Sequence, residues 1–158
     1  MRHHVEVSPE MATFIGTGFV DTTLWPESPL ALAFRTIAPA AGHFTRHPDR
    51  HTRWDDDQQV ILIVSLSACE RIFGYVPDDD CAFHLPPDLT ATALSIRDNG
   101  LPAPSCDTLR LAKSIELLCE TWRSLANGNL IPLSDGIRNR ADAERILAAR
   151  QLIDEHWH

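Results

Sequence analysis

Residues 109–125 read LRLAKSIELLCETWRSL, and the apolar positions Leu111, Ile115, Leu118, Trp122 and Leu125 recur in alternating steps of four and three. That spacing predicts an α-helix with one apolar stripe. Leu117 and Cys119 flank the stripe and widen it, while Lys113, Glu116, Glu120 and Arg123 lie mostly off it and can face water. A helix this long and this clearly striped needs a packing partner, either in its own chain or in another.

The period is different in the first half. MATFIGTGFV at 11–20 mixes β-formers with two glycines, which predicts a strand bent or bulged at Gly16 or Gly18. The prolines of WPESP at 25–29 predict a loop. Leu30, Leu32 and Phe34 alternate with small neighbours, so a half-buried strand is expected over 30–37. Residues 39–58 are rich in proline and charge and read as a loop. VILIV at 60–64 is an uninterrupted apolar run, the pattern of a strand covered on both faces. A turn over 65–70 and an antiparallel neighbour over 71–76 are expected to follow.

From Pro86 the pattern turns helical. Pro86-Pro87 suits a helix start, Asp88 suits the positive end of the helix dipole, and Leu89, Ala93 and Ile96 hold the period until Asn99-Gly100. Asp107 can cap the long helix, and Asn127-Gly128 stops it. A final helix is expected over 141–157, with a stripe at Ile146, Ala149, Ile153 and Trp157. Strands first and helices after predict an α+β fold rather than alternating βαβ units. The expected division is a β-rich sensing part over 1–82, a helical dimerisation part over 83–127 and a linker helix over 138–158. There is no phosphate-binding glycine loop, since GTG at 16–18 lacks the third glycine and the following helix.

Charge narrows the set of partners. The 158 residues carry 22 acidic against 14 basic side chains, a net charge of −8. A chain that grips nucleic acid by itself wants a basic face, so direct DNA contact by this chain alone is disfavoured. Cysteines 69, 81, 106 and 119 show no CxxC spacing. The start, MRHHVEVSPE, lacks the apolar run of a secretory signal, and no stretch approaches a membrane span. A cytoplasmic protein with reduced thiols is the expectation.

Three segments together resemble the bacterial AraC/XylS family of transcription regulators. They are FHLPPDLTATALSIRDNGLP at 83–102, LRLAKSIELLCETWRSL at 109–125 and RADAERILAARQLIDEHWH at 140–158. Within them, Leu85-Pro86-Pro87-Asp88-Leu89 is similar to the family's "L-P-x-E-L". Lys113 to Leu118 is similar to its "K-x-x-E-L-L", and Asp142 to Ile153 to its linker helix. The resemblance implies a degenerate cupin-like sensing part for a small effector, since only about four strands are expected before Pro77. It also implies a homodimer, or a heterodimer with a full-length regulator, formed through Leu111, Ile115, Leu118, Trp122 and Leu125. In the family the linker helix leads into helix-turn-helix units, and the chain ends where these would begin. A sensing and dimerisation domain without its own DNA reader is therefore expected, with no enzymatic activity and no cofactor. Such a subunit would leave a dimer unable to grip two half-sites.

The rival reading is a small metal-binding cupin-like enzyme or metal sensor. His43, His47 and His51 are spaced four apart, with Asp55, Asp56 and Asp57 close behind. Pro48 and Gly42 argue against a helix there, and in a loop the spacing loses its meaning. Asp55–Asp57 and Asp78–Asp80 offer paired carboxylates for acid–base work, yet both triplets sit at expected turns, where aspartate is ordinary.

Overall fold

The computed structural model describes residues 1–133, so the expected linker helix over 138–158 lies outside the described residues. The fold is α+β. Strands β1 (His3–Ser8), β2 (Met11–Ile15), β3 (Pro29–Arg35), β4 (Ala41–Thr45), β5 (Gln58–Ser65) and β6 (Cys81–His84) form one antiparallel sheet. Their order across it is β1-β2-β5-β3-β4-β6. The helices are α1 (Leu66–Phe73), α2 (Pro87–Arg97) and α3 (Ser105–Ala126). The sheet is open, with β1 and β6 at its two edges. Residues 131–133 run along β6: the His84 N–H donates to Ile131 O and the Leu133 N–H to Ala82 O, both at 2.8 Å.

Alternation along the strands builds two apolar layers. Val60, Leu62 and Val64 of β5 join Leu30, Leu32 and Phe34 of β3 in the larger one, which α2 and α3 cover with Leu89, Ile96, Leu117 and Trp122. Ile61 and Ile63 point the other way, with Ala31, Ala33 and Phe14, and there Trp25 and Trp54 pack on them from loops. Strand β5 is thus buried on both faces, as its unbroken apolar run predicts. Strand β6 runs across residues 82 and 83, and the helices share one core with the strands.

Four local expectations are corrected. Residues 71–76 do not form a strand; α1 occupies Leu66–Phe73. Its signals are side-chain caps rather than periodicity. Ser65 Oγ accepts the Ala68 N–H at 3.2 Å, and Gly74 takes the left-handed φ of 65° that ends the helix. The stretch 39–58 is not all loop, because β4 lies inside it. Gly42 can sit in a strand there because its missing side chain leaves room for the Phe83 ring of β6. Strands β1 and β6 are further elements that the pattern does not announce, β1 being largely polar and β6 only four residues long, both at an edge.

The fourth correction concerns the face that α3 buries. Ser114, Leu117, Leu118, Thr121 and Trp122 are buried, while Ile115 is 44% exposed. The contact line is displaced from Leu111–Ile115 because β2 offers a polar partner. Thr13 Oγ1 donates to Ser114 Oγ at 2.8 Å, and Ser114 Oγ donates to Arg110 O at 2.6 Å. Two hydroxyls can therefore be buried at this point without an unpaired donor.

Candidate small-molecule cleft

Strand β1 brings His4 and Glu6 to the side of the sheet away from α3, opposite Phe14 and Ala12 of β2. The chain then leaves β2, and a short 3-10 helix at Thr22–Leu24 lays Trp25 over the same side. Asp21 fixes this turn. Its carboxylate accepts the Thr23 N–H at 3.0 Å and the Thr23 hydroxyl at 2.6 Å, and these bonds hold its carboxyl below the usual range. Between β1 and the Trp25 loop lies a cleft of about 370 Å³, lined by His4, Glu6, Ser8, Thr23, Leu24, Trp25 and Pro26 among others. That volume is in the range of small-ligand sites, roughly 300–1,000 Å³.

Among the described residues four buried side-chain polar atoms have no hydrogen-bond partner: His4 Nε2 and Trp25 Nε1, on residues that line this cleft, and His84 Nε2 and Thr121 Oγ1 elsewhere. The His4 ring is held by Phe14, with centroids 5.3 Å apart and planes tilted by 39°. A wider depression of about 430 Å³, lined by Thr36, Leu85 and Leu94, is mostly apolar and contains no such atom.

The histidines read as metal ligands are distributed differently. His43 lies on β4, opposite Ala33 and Ala82, whereas His47 and His51 are exposed in the following loop. The His51 N–H donates to Asp49 Oδ1 at 2.7 Å, and Arg50 Nε donates to the His51 ring at 3.2 Å. Among the described residues no three His, Cys, Asp or Glu side chains group as metal ligands do. Several of the aspartates tie the backbone together. Asp56 accepts the Gly18 N–H, Asp57 pairs with Arg35 at 3.2 Å, and Asp80 accepts the Arg46 N–H at 2.7 Å.

The five residues expected at a subunit interface also separate. Leu118 and Trp122 are only 5% and 1% exposed. Trp122 stacks on Phe73 with centroids 5.2 Å apart, meets Phe44 edge-on, and donates from Nε1 to Tyr75 O at 2.7 Å. Leu111 and Leu125 pack partly against the same core, and Ile115 faces outward. Sequence reasoning missed His4, Glu6 and Trp25. The available signal was weak: His-x-Glu alternation in a polar opening segment, and a tryptophan beside a proline in a loop. No helix among the described residues is long and apolar enough to cross a membrane. Comparison with protein-family models, curated proteins and solved structures finds no match for this chain.

Proposed function

We propose that the chain is the effector-sensing and dimerisation part of an AraC-type transcription regulator, non-enzymatic and acting in the cytoplasm. The observation that supports the sensing role is the cleft of about 370 Å³ between β1 and the Trp25 loop, on the sheet face opposite α3. Strand β2 connects the two faces. Ala12 lines the cleft, and its neighbour Thr13 donates to Ser114 of α3. A ligand that moves β2 therefore acts directly on the helix assigned to dimerisation, which is the differential contact a ligand switch requires. The partner is a second copy or a full-length regulator. The net charge of −8 favours neither nucleic acid nor an anionic surface as a direct partner.

The test is a fusion of the full chain to a DNA-binding domain that grips a palindromic operator only as a dimer. The fusion is expected to occupy the operator, and Trp25→Phe is expected to change its response to small molecules without changing basal occupancy. A fusion that stays monomeric by light scattering and leaves the operator free would sink the dimerisation role. A response untouched by Trp25→Phe would sink the sensing role of the cleft.

A further inference from the structure

We infer that strand β1 is an interface for a second copy of this chain, pairing antiparallel with the β1 of that copy about a two-fold axis at Val5. The surface is the strand edge rather than α3, and the inference does not depend on the regulator reading. Strand β1 is the last strand on its side of the sheet, whereas residues 131–133 bond along β6 on the other side. An edge strand directs backbone N–H and C=O groups away from its sheet, which makes it a template for another strand.

The register shows which groups these are. The Gly16 N–H donates to Gln59 O and the Ser65 N–H to Glu10 O, each at 2.9 Å, and both pairs continue the β2–β5 register. Antiparallel pairs alternate between bonded and non-bonded kinds. Ala12 and Phe14 therefore bond towards β5, and Met11, Thr13 and Ile15 towards β1. On β1, His3 and Val5 bond to Ile15 and Thr13, while His4 and Glu6 turn their backbone groups outward. The outward row is bounded at both ends. Phe19 O accepts the Arg2 N–H at 3.3 Å, and a bulge breaks the ladder between Glu6 and Ser8.

One register lets two copies use both outward residues. His4 of each lies opposite Glu6 of the other, and Val5 opposite Val5. The two bonded pairs exchange two backbone bonds each, and each Glu6 carboxylate faces an imidazole across the seam. Moving the axis by one residue sets Glu6 against Glu6, or His4 against His4, and loses bonds at the bulge or at Arg2. Residues 1–8 carry one acidic side chain in a chain of net charge −8, so the seam adds little like-charge repulsion. The edge is also held ready. Arg2 is 3% exposed and donates to Gly18 O at 2.8 Å and to Asp55 O at 3.0 Å, so pairing orders little new chain.

The test is amide hydrogen exchange on the full 15N-labelled chain at about 20 μM and about 1 mM, with sedimentation equilibrium over the same range. The His4 and Glu6 amides are expected to exchange about fivefold more slowly at the higher concentration, where the chain sediments as a dimer. The Val5 amide, already bonded to β2, should change less. Glu6→Pro deletes one outward N–H per chain and spares the β1–β2 bonds, so it should return the chain to monomer. Glu6→Lys, at an exposed position, keeps the backbone intact and should raise the dimer dissociation constant about threefold or more. A dimer whose His4 and Glu6 amides exchange equally fast at both concentrations overturns the edge and leaves α3 as the interface. Slow exchange of both amides in a monomer shows that the chain covers its own edge, and overturns the inference too. So does a chain that stays monomeric at about 1 mM with both amides exchanging freely.

Discussion

Thr13 on β2 and Ser114 on α3 are joined hydroxyl to hydroxyl at 2.8 Å, both fully buried, between a sheet and a helix whose other polar contact, His3 to Asp107 at 3.0 Å, is exposed. A polar pair in that position fixes the rotation of α3 on the sheet, because only one helical orientation brings Ser114 over Thr13. Replacing Ser114 by Ala leaves Thr13 Oγ1 buried without an acceptor, with an expected cost of about 1–3 kcal/mol in denaturant unfolding. The double variant Thr13→Val, Ser114→Ala should cost less than the sum of the single variants, since it also removes the Thr13 hydroxyl that Ser114→Ala alone leaves without an acceptor. Strict additivity would show that the bond does not set the packing.

Trp122 and Ile115 differ in where their apolar surface goes. Trp122 is 1% exposed and fills the space between Phe44 and Phe73, so Trp122→Ala is expected to cost about 3–5 kcal/mol. Ile115→Ala should change stability far less than Trp122→Ala in the isolated subunit, by about 0.5 kcal/mol, because Ile115 is already 44% exposed. If α3 mediates dimerisation, Ile115→Glu should raise the dimer dissociation constant while leaving the unfolding midpoint of the monomer in place. Sedimentation equilibrium alongside thermal unfolding separates the two effects.

Gly42 sits opposite Phe83 across the β4–β6 pair, and a Cβ at residue 42 would clash with the edge of the Phe83 ring. Gly42→Ala is expected to destabilise by about 1–3 kcal/mol through overpacking. The companion substitution Phe83→Leu should recover part of the loss, by an amount the difference in unfolding free energy between single and double variants reads directly. No loss in Gly42→Ala would mean that β6 is free to shift away from β4.

Glu10 at the β1–β2 turn accepts both Arg71 guanidinium nitrogens, at 2.6 and 3.2 Å. The bond from Arg71 holds the Glu10 carboxyl below its ordinary range. A depressed folded-state value stabilises the fold above the unfolded value, and the contribution disappears as pH falls through the folded one. The contact therefore contributes at neutral pH and is lost in the acid limb, below about pH 4. Glu10→Gln should flatten that limb of the stability–pH curve and leave the slope between pH 6 and 8 unchanged. The pair is exposed, so the change should be small and should shrink further in salt.

Legibility in the sequence followed the strength of each local signal. The run at 60–64 reads as a doubly covered strand because nothing polar interrupts it, and β5 is that strand. The helix over 109–125 reads correctly as a helix because its period is long and clean, and α3 contains it. The cleft was not legible. His4 and Glu6 come from β1, and Trp25 comes from a loop after β2. Only the pairing of β1 with β2 and the Asp21 turn bring them to one side of the sheet.

The sequence alone determined the α+β class, the central strand and the two longer helices, because these depend on periodicity within a few turns of chain. Tertiary structure decided which face α3 buries and which polar groups meet. Those outcomes turn on partners far away in sequence. Thr13 lies 101 residues from Ser114, and Trp122 lies 47 from Tyr75. A hydroxyl on a helix face carries no mark of whether another hydroxyl will stand opposite it. That is why Ile115, placed on the apolar stripe, faces water, while Ser114 beside it is core.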